Sequence, residues 1–454
     1  MTTVIPIETP GLGDRTYLVH DGAVALVVDP QRDYDRVLAV AEEASVRITH
    51  VFETHIHNDY VTGGLALSRE VGAAYHVNAD DPVAFERVGV ADGDVVEVGD
   101  TMRVTAVHTP GHTHTHLSYA LATEEGPVAV FTGGSLLYGS TGRPDLLGPD
   151  HTDTLVRAQW HSAHRLAQEL PDETEVFPTH GFGSFCSATQ TEAASSTIGQ
   201  EKRGNPALTQ AEEVYVEQLL AGLEEFPAYY AHMGPANSAG PDAPDLSAPT
   251  LADPGELRRR IDAGEWVVDL RTREAFAEGH LVGSVNFGVD GQFITYLGWI
   301  MPYDAVVTLL GETPEQVSQA QRDMARIGLA KPVAMATGKP DEWAGAAALG
   351  SFPVASFKEL KVALDERADD LVVLDVRRGV EFDAAHIEGA VNVPIHAILA
   401  HLDDVPRKRL WVHCAGGYRA SVVASILDAR GYDVVAVDDS FDESARAAGL
   451  PIVA

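Results

Sequence analysis

"THIHNDY", residues 54–60, continues the strand-like run "ITHVFETH", 48–55, and sets His55, His57 and Asp59 at alternate positions. On a loop leaving a strand, every second side chain can converge on one point. Imidazoles this close together suit Zn, Fe, Ni or Cu, and the aspartate is a further ligand or a base. A surface loop can carry the same residues, so the choice turns on whether other histidines recur in this context.

They do. "HTPGHTHTH", 108–116, puts His112 after the strand-like "MRVTAVH" and a Pro-Gly turn, and "FPTHG", 177–181, puts His180 after a third strand. Unrelated surface histidines seldom recur three times at strand ends. His55, His57, His112 and His180, with Asp59, are therefore the candidate metal ligands. His114 and His116 cannot reach the same ion from one turning loop; they read as residues that line the pocket and orient ligands or substrate, or as solvated loop residues. Between the strands, "DYDRVLAVAEEAS" and "TGGLALSREVG" have helical spacing, which makes this region mixed α/β.

The chain has 454 residues, too many for one core, and is expected to divide into several domains. Its formal charge of −35, from 67 acidic against 32 basic residues, disfavours nucleic-acid and anionic membrane surfaces as partners. No apolar run has membrane-spanning length and no signal peptide is evident, so a cytoplasmic location is expected. The two cysteines, Cys186 and Cys414, are far apart in unlike contexts, which argues for thiols and against a disulfide framework.

The order T-H-x-H-x-D, T-P-G-H-T, F-T-G and a late T-H resembles the metallo-β-lactamase superfamily over about residues 1–230. The resemblance implies an αββα sandwich with its metal site on strand-end loops. "GSTGRPDL", 139–146, looks more like the persulfide dioxygenase branch, which oxidises a thiol persulfide with O₂ at one Fe(II), than like the hydrolase branches. Two positions depart from the family pattern. Tyr60 stands where a histidine usually binds a second metal, and Gly134, in "FTGGSLLYGSTGRPD" (131–145), stands where the family has an aspartate ligand, with Ser135 a poor replacement. An aspartate restored at 134 is expected to raise iron retention. Arg143 either pairs with Asp145 or holds a substrate anion through its planar fork. Tyr138 reads as packing, and Cys186 as either a buried thiol or a sulfur carrier.

Farther along, "GPANSAGPDAPDLSAPT", 234–250, reads as a linker. After it, "WVVDLRTREAFAEGHLVGSVNFG", 266–288, and "LVVLDVRRGVEFDAAHIEGAVNVP", 371–394, share a strand, D-x-R, an acidic and aromatic pair, a histidine, a glycine and a second strand ending in Asn. Two related domains are implied. "LWVHCAGGYRAS", 410–421, then places Cys414 between a strand and a helix, with Gly416, Gly417, Tyr418 and Arg419 in the loop. Loop amides, a helix N-terminus and Arg419 would stabilise a thiolate or persulfide there. The pattern resembles the rhodanese sulfurtransferases, in which Asp375, Arg377 and His386 fall at scaffold positions. The earlier copy has "PVAMATGKPDEWAGAAALG" at the loop, with neither cysteine nor arginine, and Trp343 marks its position.

The expected layout is an α/β chain: a metallo-β-lactamase-like sandwich over 1–233, a linker over 234–250, a rhodanese-like domain without cysteine over 251–350, and a rhodanese domain with Cys414 over 351–454. The fusion resembles persulfide dioxygenase and sulfurtransferase chains. It implies one Fe(II) or Zn(II) ion and a small-molecule thiol persulfide or other sulfane-sulfur donor, with a homo-oligomer left open and no nucleic acid or membrane as partner. Cys414 and Arg419 are expected to be catalytic; Gly416, Gly417, Tyr418, Arg143 and His116 are expected to meet substrate. The rivals are a zinc-dependent thioester hydrolase of the glyoxalase II kind fused to the rhodanese, and a metal-poor binding domain beside an active rhodanese.

Overall fold

The computed structural model describes residues 2–189, 193–367 and 370–454. The chain forms two compact units, 1–244 with 325–328, and 245–324 with 329–454. Each is described by itself.

The first unit is built on two six-stranded sheets. Its central strands are buried on both faces, so their sequences read as nearly continuous apolar runs. In Asp14–His20, Tyr17 and Val19 face the core between the sheets, while Leu18 faces the helical layer outside. Val24–Val28 repeats this alternation, with Leu26 and Val28 inward and Ala25 and Val27 outward. The second sheet answers with Ala129 and Phe131 inward and Val130 against the outer helices. Helices Asp35–Glu43 and Gly64–Val71 cover the first sheet, and Pro149–Glu169 covers the second through Val156, Ala163 and Leu166. The result is an αββα sandwich.

Two parallel pairings decide where the chemistry lies. Val24–Val28 runs parallel to Arg47–Phe52, and Gly126–Gly133 runs parallel to Glu175–Pro178. Their carboxyl ends therefore deliver Asp29, the 54–60 loop, Gly134 and His180 to one edge of the sandwich. The segment expected to be a linker opens inside a helix, Tyr230–Ala239, because Asn237 is buried and donates to the carbonyls of His57 and Tyr60, at 2.9 Å each.

The second unit contains two five-stranded parallel sheets of matching order. The first orders Thr250–Leu251, Ala334–Thr337, Val307–Gly311, Trp266–Asp269 and Val285–Asn286; the second orders Val354–Ala355, Val434–Val437, Arg409–His413, Leu371–Asp375 and Val391–Asn392. The shared motif residues hold both copies in the same way. Arg271 forks onto Asp269, and Arg377 onto Asp375, with closest contacts of 2.7 and 2.6 Å. The Asn286 side chain donates to the Asp269 and Arg271 carbonyls, and Asn392 does so to those of Asp375 and Arg377. His280 and His386 each lie flat on a phenylalanine four residues earlier. These residues are frame, present with or without a cysteine. Trp343, at the lost loop, is buried in the core of the first copy with Leu257, Val267 and Leu310. Among the described residues, no helix is long and apolar enough to cross a membrane.

Candidate metal centre and cysteine site

His55, His112 and His180 are buried and bring three ring nitrogens within 4.8 Å of one another. Hydrogen bonds fix which nitrogen each presents. Asp29 accepts from the Thr54 hydroxyl at 2.8 Å, leaving the Thr54 oxygen to accept from His55 Nδ1, also at 2.8 Å. His112 Nδ1 donates to the Arg143 carbonyl at 2.9 Å, and His180 Nδ1 lies 2.9 Å from Asp14 and 3.0 Å from Asp59. The three Nε2 atoms are thereby turned inward, as a metal requires of its histidines. His112 Nε2 and Asp59 Oδ1 are buried with no hydrogen-bond partner. This His/Asp cluster fits a metal site.

The electrostatics divide the histidines into two kinds. Burial, helped by the neighbouring rings, pushes His55 far below its ordinary value and His112 down to about 3, so both are neutral donors. At His180 burial acts in the same direction, but Asp59 and Asp14 outweigh it and raise the ring to about 10. Asp14 itself is pushed up to about 8 by burial and by Asp59.

His57 turns its Nε2 to a group of carboxylates and leaves Nδ1 buried with no hydrogen-bond partner. Its Nε2 lies 3.2 Å from Glu53, 3.3 Å from Asp29 and 3.0 Å from the Tyr60 hydroxyl. These carboxylates overcome burial and raise it to about 9. His57 thus belongs to two other donor groups, one with Asp29 and Glu53 and one with Asp59 and His180. Asp29 is the hub: it accepts from the Thr54 amide at 2.7 Å and from the Thr54 and Thr179 hydroxyls, and it is held at φ 52°, a costly conformation for a residue with a side chain.

Gly134 has a steric role. A Cβ there would lie 2.3 Å from His112 Cδ2 and 2.6 Å from Cγ, and one on Gly142 would lie 2.8 Å from His112 Nδ1. The His112 ring occupies the slot between two glycines, in the space an aspartate at 134 would need. His116 lies under the site, stacked 5.0 Å from His55, accepting from the Gly134 amide at 3.1 Å and donating to Thr109 at 3.0 Å. His114 is apart from it, paired with His151 at 3.1 Å. Arg143 forks onto Asp145 at 2.7 Å through two nitrogens and donates to the Glu224 carbonyl at 2.6 Å, so its guanidinium is engaged in holding the loop. Tyr138 donates to the Val176 carbonyl from the core. Cys186 is fully buried, and burial followed by Asp59 and Asp14 holds it as a thiol.

In the second unit Cys414 follows the strand Arg409–His413 and precedes the helix Tyr418–Asp428. The Gly417 amide donates to Cys414 Sγ at 3.2 Å. Gly417 has φ 92°, and a Cβ there would meet the Asp438 carboxylate, so the loop requires glycine at this position. Gly416 has nothing within 4 Å of where a Cβ would stand. The Tyr418 hydroxyl donates to the Gly288 carbonyl of the cysteine-free copy at 2.9 Å, and its ring stands 6.0 Å from that of Tyr296, also from that copy. Arg419 is bound through both terminal nitrogens to Glu381, at 2.6 and 2.8 Å. Asp14, Asp29, Glu53, Glu381 and Tyr296 are the site residues absent from the sequence reading. Only Glu381 carried a usable signal, since it differs between the two repeats.

Comparison with known proteins agrees with this division. The model of the metallo-beta-lactamase superfamily matches residues 11–180, and that of the rhodanese-like domain matches 253–346 and 356–447. Hydroxyacylglutathione hydrolase from Polaromonas sp. is 33% identical over 160 residues, which are 35% of this chain and 57% of that protein. The protein of the same name from Maricaulis maris is 30% identical over 40% of this chain and 68% of its own length. The chain thus spans little more than half the length of the first of these relatives. A crystal structure of a metallo-beta-lactamase from Staphylococcus aureus is 28% identical, with a TM-score of 0.66 over 74% of this chain and 99% of the other.

Proposed function

From a chain that belongs to the metallo-beta-lactamase superfamily and carries two rhodanese-like domains, we propose a sulfur-metabolism enzyme that transfers sulfane sulfur through Cys414 and processes a thiol persulfide at one metal ion. The observation that carries the reading is the Cys414 loop, in which the Gly417 amide meets Sγ at 3.2 Å beside Arg419. Cys414 thiolate attacks the outer sulfur of a sulfane donor, the S–S bond breaks, and its electron pair leaves with the donor's remaining fragment as a thiolate or sulfite. The new Cys414 persulfide anion is held by the loop amide and the helix N-terminus. An acceptor thiolate then takes the terminal sulfur and restores Cys414. Cys414→Ser is expected to abolish transfer from thiosulfate or a persulfide; unchanged transfer would refute the assignment.

In the first unit, His55, His112 and His180 would hold the ion, Fe(II) or Zn(II), with Asp59 beside His180. The ion would supply Lewis acidity to a small thiol-derived substrate. Asp29 and Thr54 orient His55, the Arg143 carbonyl orients His112, and His116 supports the ring of His55. A second reading, hydrolysis of a thioester, is favoured by the curated relatives named hydroxyacylglutathione hydrolase. Oxygen uptake with a small-thiol persulfide supports the first reading; thioester cleavage without oxygen supports the second. A folded protein with no bound metal would count against both.

A further inference from the structure

The two repeats of the second unit serve as controls for each other. Counting from the D-x-R aspartate, Ala275 and Glu381 hold the same place, six residues after Asp269 and Asp375. The frame residues are kept in both copies, whereas cysteine, loop arginine and this glutamate are absent together from the first. The corresponding helix, Arg273–Glu278, forms without the glutamate, with the Thr272 hydroxyl accepting from the Ala275 amide. Glu381 therefore goes with the chemistry and is dispensable to the frame.

Its contacts show what it does there. Glu381 accepts from both terminal nitrogens of Arg419 at 2.6 and 2.8 Å and from Arg378 Nε at 3.1 Å. Burial alone would raise this carboxyl, but Arg419 and Arg378 hold it down at about 2, so it is ionised at neutral pH. Its negative charge directly offsets that of the Arg419 guanidinium. Across the loop, Arg273 meets Asp438 at 2.9 and 3.1 Å and lies 3.4 Å from Glu274 and 3.8 Å from Asp290. The Tyr296 ring, 6.0 Å from that of Tyr418, also stands close enough to Arg419, Glu381 and Cys414 to feel their charges. The Arg378–Glu381–Arg419 trio accordingly sets the charge that a sulfur donor meets.

We propose that Glu381 is a specificity-determining residue: by offsetting the positive charge of Arg419 beside Cys414, it matches the site to a singly charged thiol persulfide and against the thiosulfate dianion. The proposal rests on the reading of Cys414 as the sulfur-transfer cysteine. Glu381 acts through Arg419 and is a positioning residue. The transfer itself is balanced: Cys414–S⁻ and R–S–S⁻ give Cys414–S–S⁻ and R–S⁻, or thiosulfate gives the same persulfide and sulfite. No oxidant is consumed.

The test uses the full chain, cyanide as acceptor, and two donors, thiosulfate and the persulfide of 2-mercaptoethanol. The wild-type protein is expected to favour the persulfide in kcat/KM. Glu381→Gln, which keeps the shape and removes the charge, should lower KM for thiosulfate roughly fivefold, the scale of one unscreened charge in a part-exposed site, and lower the persulfide KM by a clearly smaller factor. Added salt should erase the gain, and Glu381→Asp should retain the wild-type donor preference. Arg378→Gln removes a positive charge from the same trio and should raise the thiosulfate KM, which keeps the test available if Glu381→Gln does not fold. Wild-type preference for thiosulfate, or an unchanged or equal response to both donors, overturns the proposal. A wild-type protein that moves sulfur from neither donor overturns the reading of Cys414 and the proposal with it.

Discussion

Restoring the aspartate that the family places at position 134 is expected to harm this metal centre. The Cβ of Gly134→Ala alone would stand 2.3 Å from His112 Cδ2, well inside van der Waals contact. The ring has no ready escape, because Gly142 closes the other side and Nδ1 is tied to the Arg143 carbonyl at 2.9 Å. Forcing one methyl into such packing costs about 1–3 kcal/mol. At roughly 2–4 °C per kcal/mol for a unit of this size, the transition of the first unit should fall by roughly 2–12 °C. Gly134→Asp adds a carboxylate and should lower both stability and metal content, opposite to the expectation from sequence. Scanning calorimetry with metal analysis of the same preparations reads both quantities. Gly134→Asp protein with raised iron retention and an unchanged transition would refute the argument that His112 fills the slot.

Other perturbations test the buried network and the loop. Asp29→Asn leaves His57 without one of its two carboxylates and should cost about 3–5 kcal/mol, read as a lower urea midpoint; an unchanged midpoint would show that Glu53 alone suffices. Burial, with His50 nearby, holds His76 at about 4 in the folded chain, below its ordinary 6.5. The unfolded chain therefore takes the proton first, so stability is full above 6.5 and falls by about 3 kcal/mol as pH drops to 4. His76→Phe, which keeps a flat ring on Phe52, should remove that part of the acid sensitivity. Gly417→Ala must hold φ 92° against the Asp438 carboxylate and should displace the amide from Cys414; an unaltered rate of Cys414 alkylation would contradict this.

The fold was legible where chemistry recurs at fixed spacing. His55, His112 and His180 each follow an apolar strand, and that shared context marks them as one group. The D-x-R, histidine and asparagine of the two repeats likewise announced two sheets of one kind. The carboxylates that hold His57 Nε2 were not legible, because Asp29 and Glu53 are single residues in strand-end segments with no local pattern of their own. The same holds for Asp14, which reaches His180 across 166 positions of chain. Gly134 was legible as a missing ligand but not as a berth for a ring, since that depends on where the 108–116 loop lies in space. Glu381 could have been found by subtracting one repeat from the other.

The cysteine-free copy keeps its aspartate–arginine fork, its stacked histidine and its bridging asparagine, so the chassis for a second reactive loop is already assembled. Grafting a thiol alone at the loop would give a nucleophile without its counter-charge. A working duplicate would need the cysteine and arginine installed together with Ala275→Glu, in a loop rebuilt around the space that Trp343 now fills.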